Sequence, residues 1–232
     1  MPSPKLITFD VYSALLDIQR GLANAFATVT EMDLEAVRPL VATWRLKQME
    51  RAAASNSLGG TRTSFRDCTR LALDYVCARH AVNLDMAERE ALVLAWDHLP
   101  PWPEANAAVT AVKAMGCQTA ILSNGDQDML DAVARLFATP FDHVLSSESA
   151  GHYKPHPSVY ALPQTLLGFC AADTLHVAGG HTDVLGAIAF GLPCVWSNNT
   201  ADQQLDPAFP PDYELANLSE LPALIRRISR TT

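Results

Sequence analysis

The chain has 232 residues, enough for one large domain or for a core carrying an insertion, and at 49% hydrophobic and 18% charged it folds around its own core. A formal net charge of −8 without any Lys- or Arg-rich run argues against nucleic acid as a partner. No apolar run reaches bilayer-spanning length, and Met1-Pro2-Ser3-Pro4-Lys5 leads into a strand-like stretch without the apolar segment of a signal peptide, so no membrane partner and a cytoplasmic location are expected.

Lys5 to Phe9 reads as a short buried strand, rich in β-branched and aromatic residues, that stops at Asp10. From about Leu16 to Leu99 the pattern turns helical, as at Leu40, Trp44, Lys47 and Gln48, which predicts an all-helical insertion. Pro100, Pro101 and Pro103 close it. Glu104 to Met115 then reads as a helix ended by Gly116. Alternating units follow: strand Cys117–Leu122, helix Asp126–Phe137, strand His143–Leu145, helix Ser158–Leu167, strand Leu175–Ala178, helix Thr182–Phe190 ended by Gly191, and strand Cys194–Trp196.

Strands alternating with helices imply right-handed crossovers and a parallel sheet covered on both faces. The expected fold is α/β, a doubly wound Rossmann-like core of residues 1–15 and 100–232 with a helical cap of residues 16–99 inserted after the first strand. Ligands bind such sheets at the carboxyl ends of the strands. Asp10, Ser123-Asn124 and the Ala178-to-Asp183 loop all lie there. The five cysteines, Cys68, Cys77, Cys117, Cys170 and Cys194, form no Cys-x-x-Cys pair and accompany no His cluster, so they read as buried hydrophobes and no metal or cofactor is expected.

Four elements carry chemistry: Phe9-Asp10-Val11-Tyr12, Ile121-Leu122-Ser123-Asn124-Gly125, Lys154-Pro155-His156-Pro157, and Thr182-Asp183 opening a helix. A carboxylate at a strand end with a lysine beside it stays ionised, because the opposite charge lowers its pKa, and that suits a nucleophile. Ser123 and Asn124 lie between a strand and a helix, where donors suit a carboxylate, halide or phosphate, although plain helix capping accounts for Asn124 equally well. Pro155 biases Lys154 toward extended backbone.

In order and placement these elements resemble the haloacid dehalogenase superfamily. Trp44-Arg45-Leu46-Lys47-Gln48, Leu122-Ser123-Asn124-Gly125 and Lys154-Pro155-His156-Pro157-Ser158-Val159-Tyr160 are closer still to its (S)-2-haloacid dehalogenase branch. The resemblance covers nearly the whole chain. It implies Asp10 as nucleophile, Arg45 as the guanidinium that reaches over it to hold a leaving group or substrate carboxylate, Tyr160 as support for Lys154, Tyr12 as a pocket wall and Phe65, more loosely, as an apolar pocket residue. It also suggests a homodimer and a small carboxylate as substrate.

Phosphatases of the superfamily carry a second aspartate two residues after the nucleophile. Tyr12 stands there, a poor acid with a pKa near about 10. Of the two acids that hold Mg²⁺ around Asp183, the first is Gly179 here. A halide leaves without a proton, so the resemblance implies attack by Asp10 at C2 of a 2-substituted acid, followed by ester hydrolysis with Lys154 and Asp183 orienting the groups around the water. Ala14 replaces a usual Thr, and Ala178 and Gly180 replace a Ser and an Asn that help position that water. His181, in the same loop, is a candidate base in their place, with a solvent-facing histidine as the plainer reading. A non-halogenated 2-substituted acid such as a strained cyclic amino acid, a phosphatase with a degraded magnesium site, and a non-catalytic relative remain open alternatives.

Overall fold

The computed structural model describes residues 3–230; Met1 and Pro2, where the reading of a leader begins, lie outside them. The chain divides into two compact units, one of residues through Leu16 together with Pro101 onward, the other Asp17–Pro100.

The first unit is built on six parallel strands: β1 (Leu6–Phe9), β2 (Gln118–Ser123), β3 (His143–Ser146), β4 (Thr174–Ala178), β5 (Cys194–Ser197) and β6 (Tyr213–Leu215). Their spatial order is β3-β2-β1-β4-β5-β6. Every residue of β1, β4 and β5 is buried, whereas β3 and β6 are partly exposed, as the outer strands of a helix-covered sheet should be. Chain order turns back at β1, whose Phe9 pairs with Ile121 on one side and Val177 on the other. That reversal opens a crevice past the strand ends, the usual ligand position in such sheets.

The second unit holds α1 (Ile18–Thr30), α2 (Leu34–Ser57), α3 (Phe65–His80) and α4 (Met86–Leu94). Each begins on a side chain that accepts from a first-turn amide: Asp17, Asp33, Ser64 and Asp85, the last in a capping box with Glu88. Trp44 packs edge-on against Phe26 and Trp96, and Phe65 against Trp96, an aromatic cluster within a core otherwise of aliphatic side chains.

Back in the sheet unit, α5 (Ala105–Lys113), α6 (Gln127–Ala134), α7 (Pro157–Tyr160), α8 (Leu162–Leu167), α9 (His181–Phe190) and α10 (Leu221–Arg230) cover the faces. The helix expected over Ser158–Leu167 is two short ones. Pro163 has no amide hydrogen for the preceding turn, so the ladder breaks around Ala161. Beyond Trp196, where the expected series ends, the structure adds β6 and α10. The strand is three residues at the sheet edge, and the helix buries Leu221, Leu224, Ile225 and Ile228 along one stripe. Among the described residues no helix is long and apolar enough to cross a membrane.

Candidate active site

Three strand ends supply the site. Asp10 follows β1, its amide bonded to the Val177 carbonyl at 2.9 Å, so the β1–β4 pairing itself fixes the carboxylate at the top of the sheet. Ser123 ends β2 and donates its hydroxyl to Asp10 Oδ1 at 3.0 Å, while accepting more weakly from the Val11 amide at 3.4 Å. Past β4, Gly180 caps α9 and Asp183 lies in its first turn. Lys154 comes from the loop ahead of α7. Its ammonium sits 3.3 Å from Asp10 Oδ1 and 3.0 Å from Asp183 Oδ2, with all three side chains nearly buried.

Asn124 does not cap α6. Asp126 takes the N-cap of α6, and the Asn124 side-chain oxygen accepts the Lys154 amide at 2.8 Å. It holds the lysine's backbone. Tyr160, expected as support for Lys154, has its ring centroid 5.9 Å from the Lys154 ammonium, and its hydroxyl also donates to Asp183 Oδ1 at 2.9 Å. It is 1% exposed and so supports both from within the core. Gly186 makes room for it, since a Cβ there would collide with the Tyr160 hydroxyl. Tyr12 is buried with its hydroxyl beside Gly125, next to the Ser123-Asn124 turn.

His181 does not join this group. It opens α9 but its Nδ1 lies 2.8 Å from Asp202 Oδ2, and the side chain is 38% exposed. The polar partner beneath this loop is instead His176, inside the strand expected over Leu175–Ala178. It is fully buried, with Nε2 3.0 Å from Asp183 Oδ2 and 3.3 Å from the Lys154 ammonium, and Nδ1 2.8 Å from Thr8 Oγ1. The signal was a lone titratable residue inside an apolar strand, two positions before Ala178 and so on the same sheet face.

The electrostatics correct one expectation. Burial, followed by the neighbouring Asp183, pushes Asp10 above its ordinary pKa; Lys154, His176 and Ser123 pull it down without cancelling the rise. Asp183 is the reverse case. Burial would raise it, but Lys154 and His176 outweigh burial and hold it below the usual carboxylate range. Lys154, which burial alone would depress, is raised by Asp183 and Asp10 and stays an ammonium. Burial, with Asp183 beside it, lifts the Tyr160 phenol well above its usual pKa, so it remains a hydrogen donor.

A divalent cation does not fit this donor set. Mg²⁺ needs several hard oxygens in octahedral array, whereas both Asp183 oxygens already accept hydrogens and the Lys154 ammonium occupies the space between the two acids. An acid at position 179 is barred by shape as well. A Cβ on Gly179 would collide with the Ala14 amide, in a turn where Ser13 adopts φ 92° and gives its carbonyl to the Trp102 indole at 3.0 Å. Among the described residues no group of three or more His, Cys, Asp or Glu is disposed to hold a metal.

In the helical unit, Arg45 on α2 is anchored by a relay. Thr69 accepts from the Gln48 amide at 2.6 Å, and Gln48 Oε1 accepts from Arg45 at 2.6 Å, with the guanidinium 5.6 Å over the Trp96 ring. Phe65 starts α3 and is fully buried against Trp96, a core residue of this unit.

The model of the haloacid dehalogenase-like hydrolases matches residues 4–191, and the chain belongs to that family. Within it the chain is similar to the (S)-2-haloacid dehalogenase of Pseudomonas sp. (strain YL), 32% identical over 92% of this chain and 91% of that protein. It is 31% identical to haloacetate dehalogenase H-2 of Moraxella sp. (strain B), covering 85% of this chain and 87% of the relative. Among solved structures, the L-2-haloacid dehalogenase of Xanthobacter autotrophicus with chloropropionic acid covalently bound superposes with a TM-score of 0.85 at 27% identity, over 96% of this chain and 98% of that one.

Proposed function

We propose that this hydrolase displaces a halide from C2 of a short 2-haloacid through an ester on Asp10 and releases the 2-hydroxy acid. One observation carries the reading. Asp10 is gripped through Oδ1 alone, by Ser123 and Lys154, and among the described residues nothing donates to Oδ2. A carboxylate fixed at one oxygen aims the other, which is what in-line attack requires.

In the first step Oδ2 of ionised Asp10 bonds to C2 while the halide leaves with the bonding pair, inverting that carbon. In the second, water adds to the Asp10 carbonyl carbon and the acyl–oxygen bond breaks. One water proton goes to the departing alkoxide and the other to solvent, and the water oxygen stays on Asp10. Lys154 steadies Oδ1 as its charge changes, and Asp183, held by three donors, orients the water. Arg45 takes the substrate anion or the leaving halide, and Tyr12 lines the pocket. What supports Arg45 is the hydrogen-bond relay that anchors its guanidinium. Displacement at carbon is further supported by the absence of any acid at position 12 and by the collision that bars one at 179.

The test is halide release from L- and D-2-chloropropionate in the presence of chelator. A single turnover in ¹⁸O-water with enzyme in excess is expected to place the label in the peptide containing Asp10, and Asp10→Asn to abolish halide release. Phosphate release from p-nitrophenyl phosphate that requires Mg²⁺, with no halide released from either acid, would refute the reading.

A further inference from the structure

The loop between β4 and α9 offers Asp183 no side-chain donor of its own, because Ala178, Gly179 and Gly180 have none. The donors come from beneath: Lys154, Tyr160 and His176. Of these, His176 brings one ring nitrogen within hydrogen-bond distance of both the acid and the lysine. We propose that His176 is a positioning residue that sets the aim of the Lys154–Asp183 pair during ester hydrolysis, holding Asp183 through a hydrogen on Nε2.

Geometry decides the tautomer. Nε2 faces an acceptor that cannot donate, Asp183 Oδ2 at 3.0 Å, and a donor that cannot accept, the Lys154 ammonium at 3.3 Å. One ring nitrogen satisfies only one of them. A hydrogen on Nε2 serves the shorter contact, and the Lys154 approach is then simple proximity. Nδ1 becomes the acceptor, and Thr8, whose hydroxyl can donate, lies 2.8 Å away on the neighbouring strand at the paired register position. The β1–β4 ladder thus fixes the ring.

The titratable groups around His176 are Lys154 and Asp183, Tyr160 with ring centroids 6.0 Å apart, Asp10, and Cys194 paired with it on β5. Tyr160 and Cys194 are both held neutral by burial, raised well above their usual values. While Asp10 is free, two carboxylates face one ammonium. Once Asp10 is an ester its charge is gone, and Lys154 and Asp183 balance one another. With Asp10 no longer sharing the ammonium, the hydrogen bond from Nε2 to Oδ2 keeps Asp183 aimed.

The activity arm rests on the Asp10 reading, and a second arm stands apart from it. In single turnovers, His176→Phe is expected to release its halide burst within a few-fold of the wild-type rate but to hydrolyse the ester about 10²-fold more slowly. His176→Gln, which can still donate to Asp183, is expected to recover part of that rate. Ester hydrolysis by His176→Phe at the wild-type rate, or by His176→Gln no faster than by His176→Phe, overturns the proposal. If wild-type enzyme forms no ester, the Asp10 reading fails, and ¹⁵N-histidine NMR decides His176 alone. The expected spectrum shows a hydrogen on Nε2, disturbed by Thr8→Val and by Asp183→Asn. An Nδ1–H tautomer overturns it.

Discussion

Replacing Lys154 with Met removes the one ammonium between two buried acids while keeping most of the side chain's volume. Lys154 touches Asp10 at 3.3 Å and Asp183 at 3.0 Å, and these side chains are only 5%, 11% and 10% exposed. Breaking a buried pair by deleting one partner costs about 3–5 kcal/mol, because the charge left behind has no compensation. For a chain of this size that is a fall of roughly 6–20 °C in the unfolding midpoint, at about 2–4 °C per kcal/mol. The pH dependence gives a sharper check. Without Lys154, Asp10 rises further above its unfolded pKa, and a raised group contributes stability below its unfolded pKa that is lost as pH rises through the folded one. Asp183, depressed in the wild type largely by Lys154, contributes stability above its unfolded pKa and loses that contribution in the variant. Both effects have the same sign. The gap between wild type and Lys154→Met is therefore widest near pH 8 and closes toward pH 4. Circular dichroism melts across that range measure it. A variant within about 0.5 kcal/mol of wild type at pH 8, the scale of an ordinary surface substitution, or a gap that widens in acid, refutes the reasoning.

Tyr160→Phe deletes one donor to Asp183 and leaves a buried acceptor short, at a cost of about 1–3 kcal/mol; kcat is expected to fall with KM little changed, as steady-state kinetics will show. Gly179→Ala drives a methyl into the Ala14 amide and is expected to lower stability by about 1–3 kcal/mol by urea titration, with no gain of Mg²⁺-dependent phosphatase activity. Gln48→Leu cuts the relay from Thr69 to Arg45 and is expected to reduce kcat/KM for an anionic substrate by roughly tenfold, equivalent to about 1.4 kcal/mol, while unfolding stays cooperative.

How much of this was legible before the structure depends on how far apart in sequence the interacting atoms lie. Asp10, Ser123 and Asp183 announce themselves locally, each where an apolar strand gives way to a turn. Lys154 stands out through its proline-rich neighbours. What no local pattern conveys is the company each keeps. That Tyr160 serves Asp183 follows from a glycine at position 186 that lets the phenol approach. His176 was readable as a face: period two places it with Ala178. Its partners were not, because Thr8 lies on a strand 168 positions away and becomes a neighbour only through the β1–β4 pairing. The pKa of Asp10 was misjudged for the same reason. A lysine nearby can be inferred from motifs, but the burial that outweighs it belongs to the packed whole. Beyond Trp196 the stripe Leu221, Leu224, Ile225 and Ile228 was present in the sequence all along, at helical spacing.

The same geometry explains why two small departures from a phosphatase-like pattern reinforce one another. With a tyrosine at 12, protonating an alcohol leaving group has no local acid; with a glycine at 179, the chain of Ser13 and Ala14 closes over the spot where a metal-binding carboxylate would begin. Restoring either acid alone would not restore a cation site, since Lys154 already spans Asp10 and Asp183. An ammonium in that position neutralises about one charge and makes directional contacts to both acids, but it offers no open coordination position to a phosphoryl oxygen. In the mechanism proposed above it steadies a carboxylate that alternates between anion and ester. The lysine, the glycine and the tyrosine therefore all favour that proposed chemistry, displacement at carbon through Asp10. Converting the site would require removing Lys154 and rebuilding the Ser13–Ala14 turn together with any acid introduced at 12 or 179.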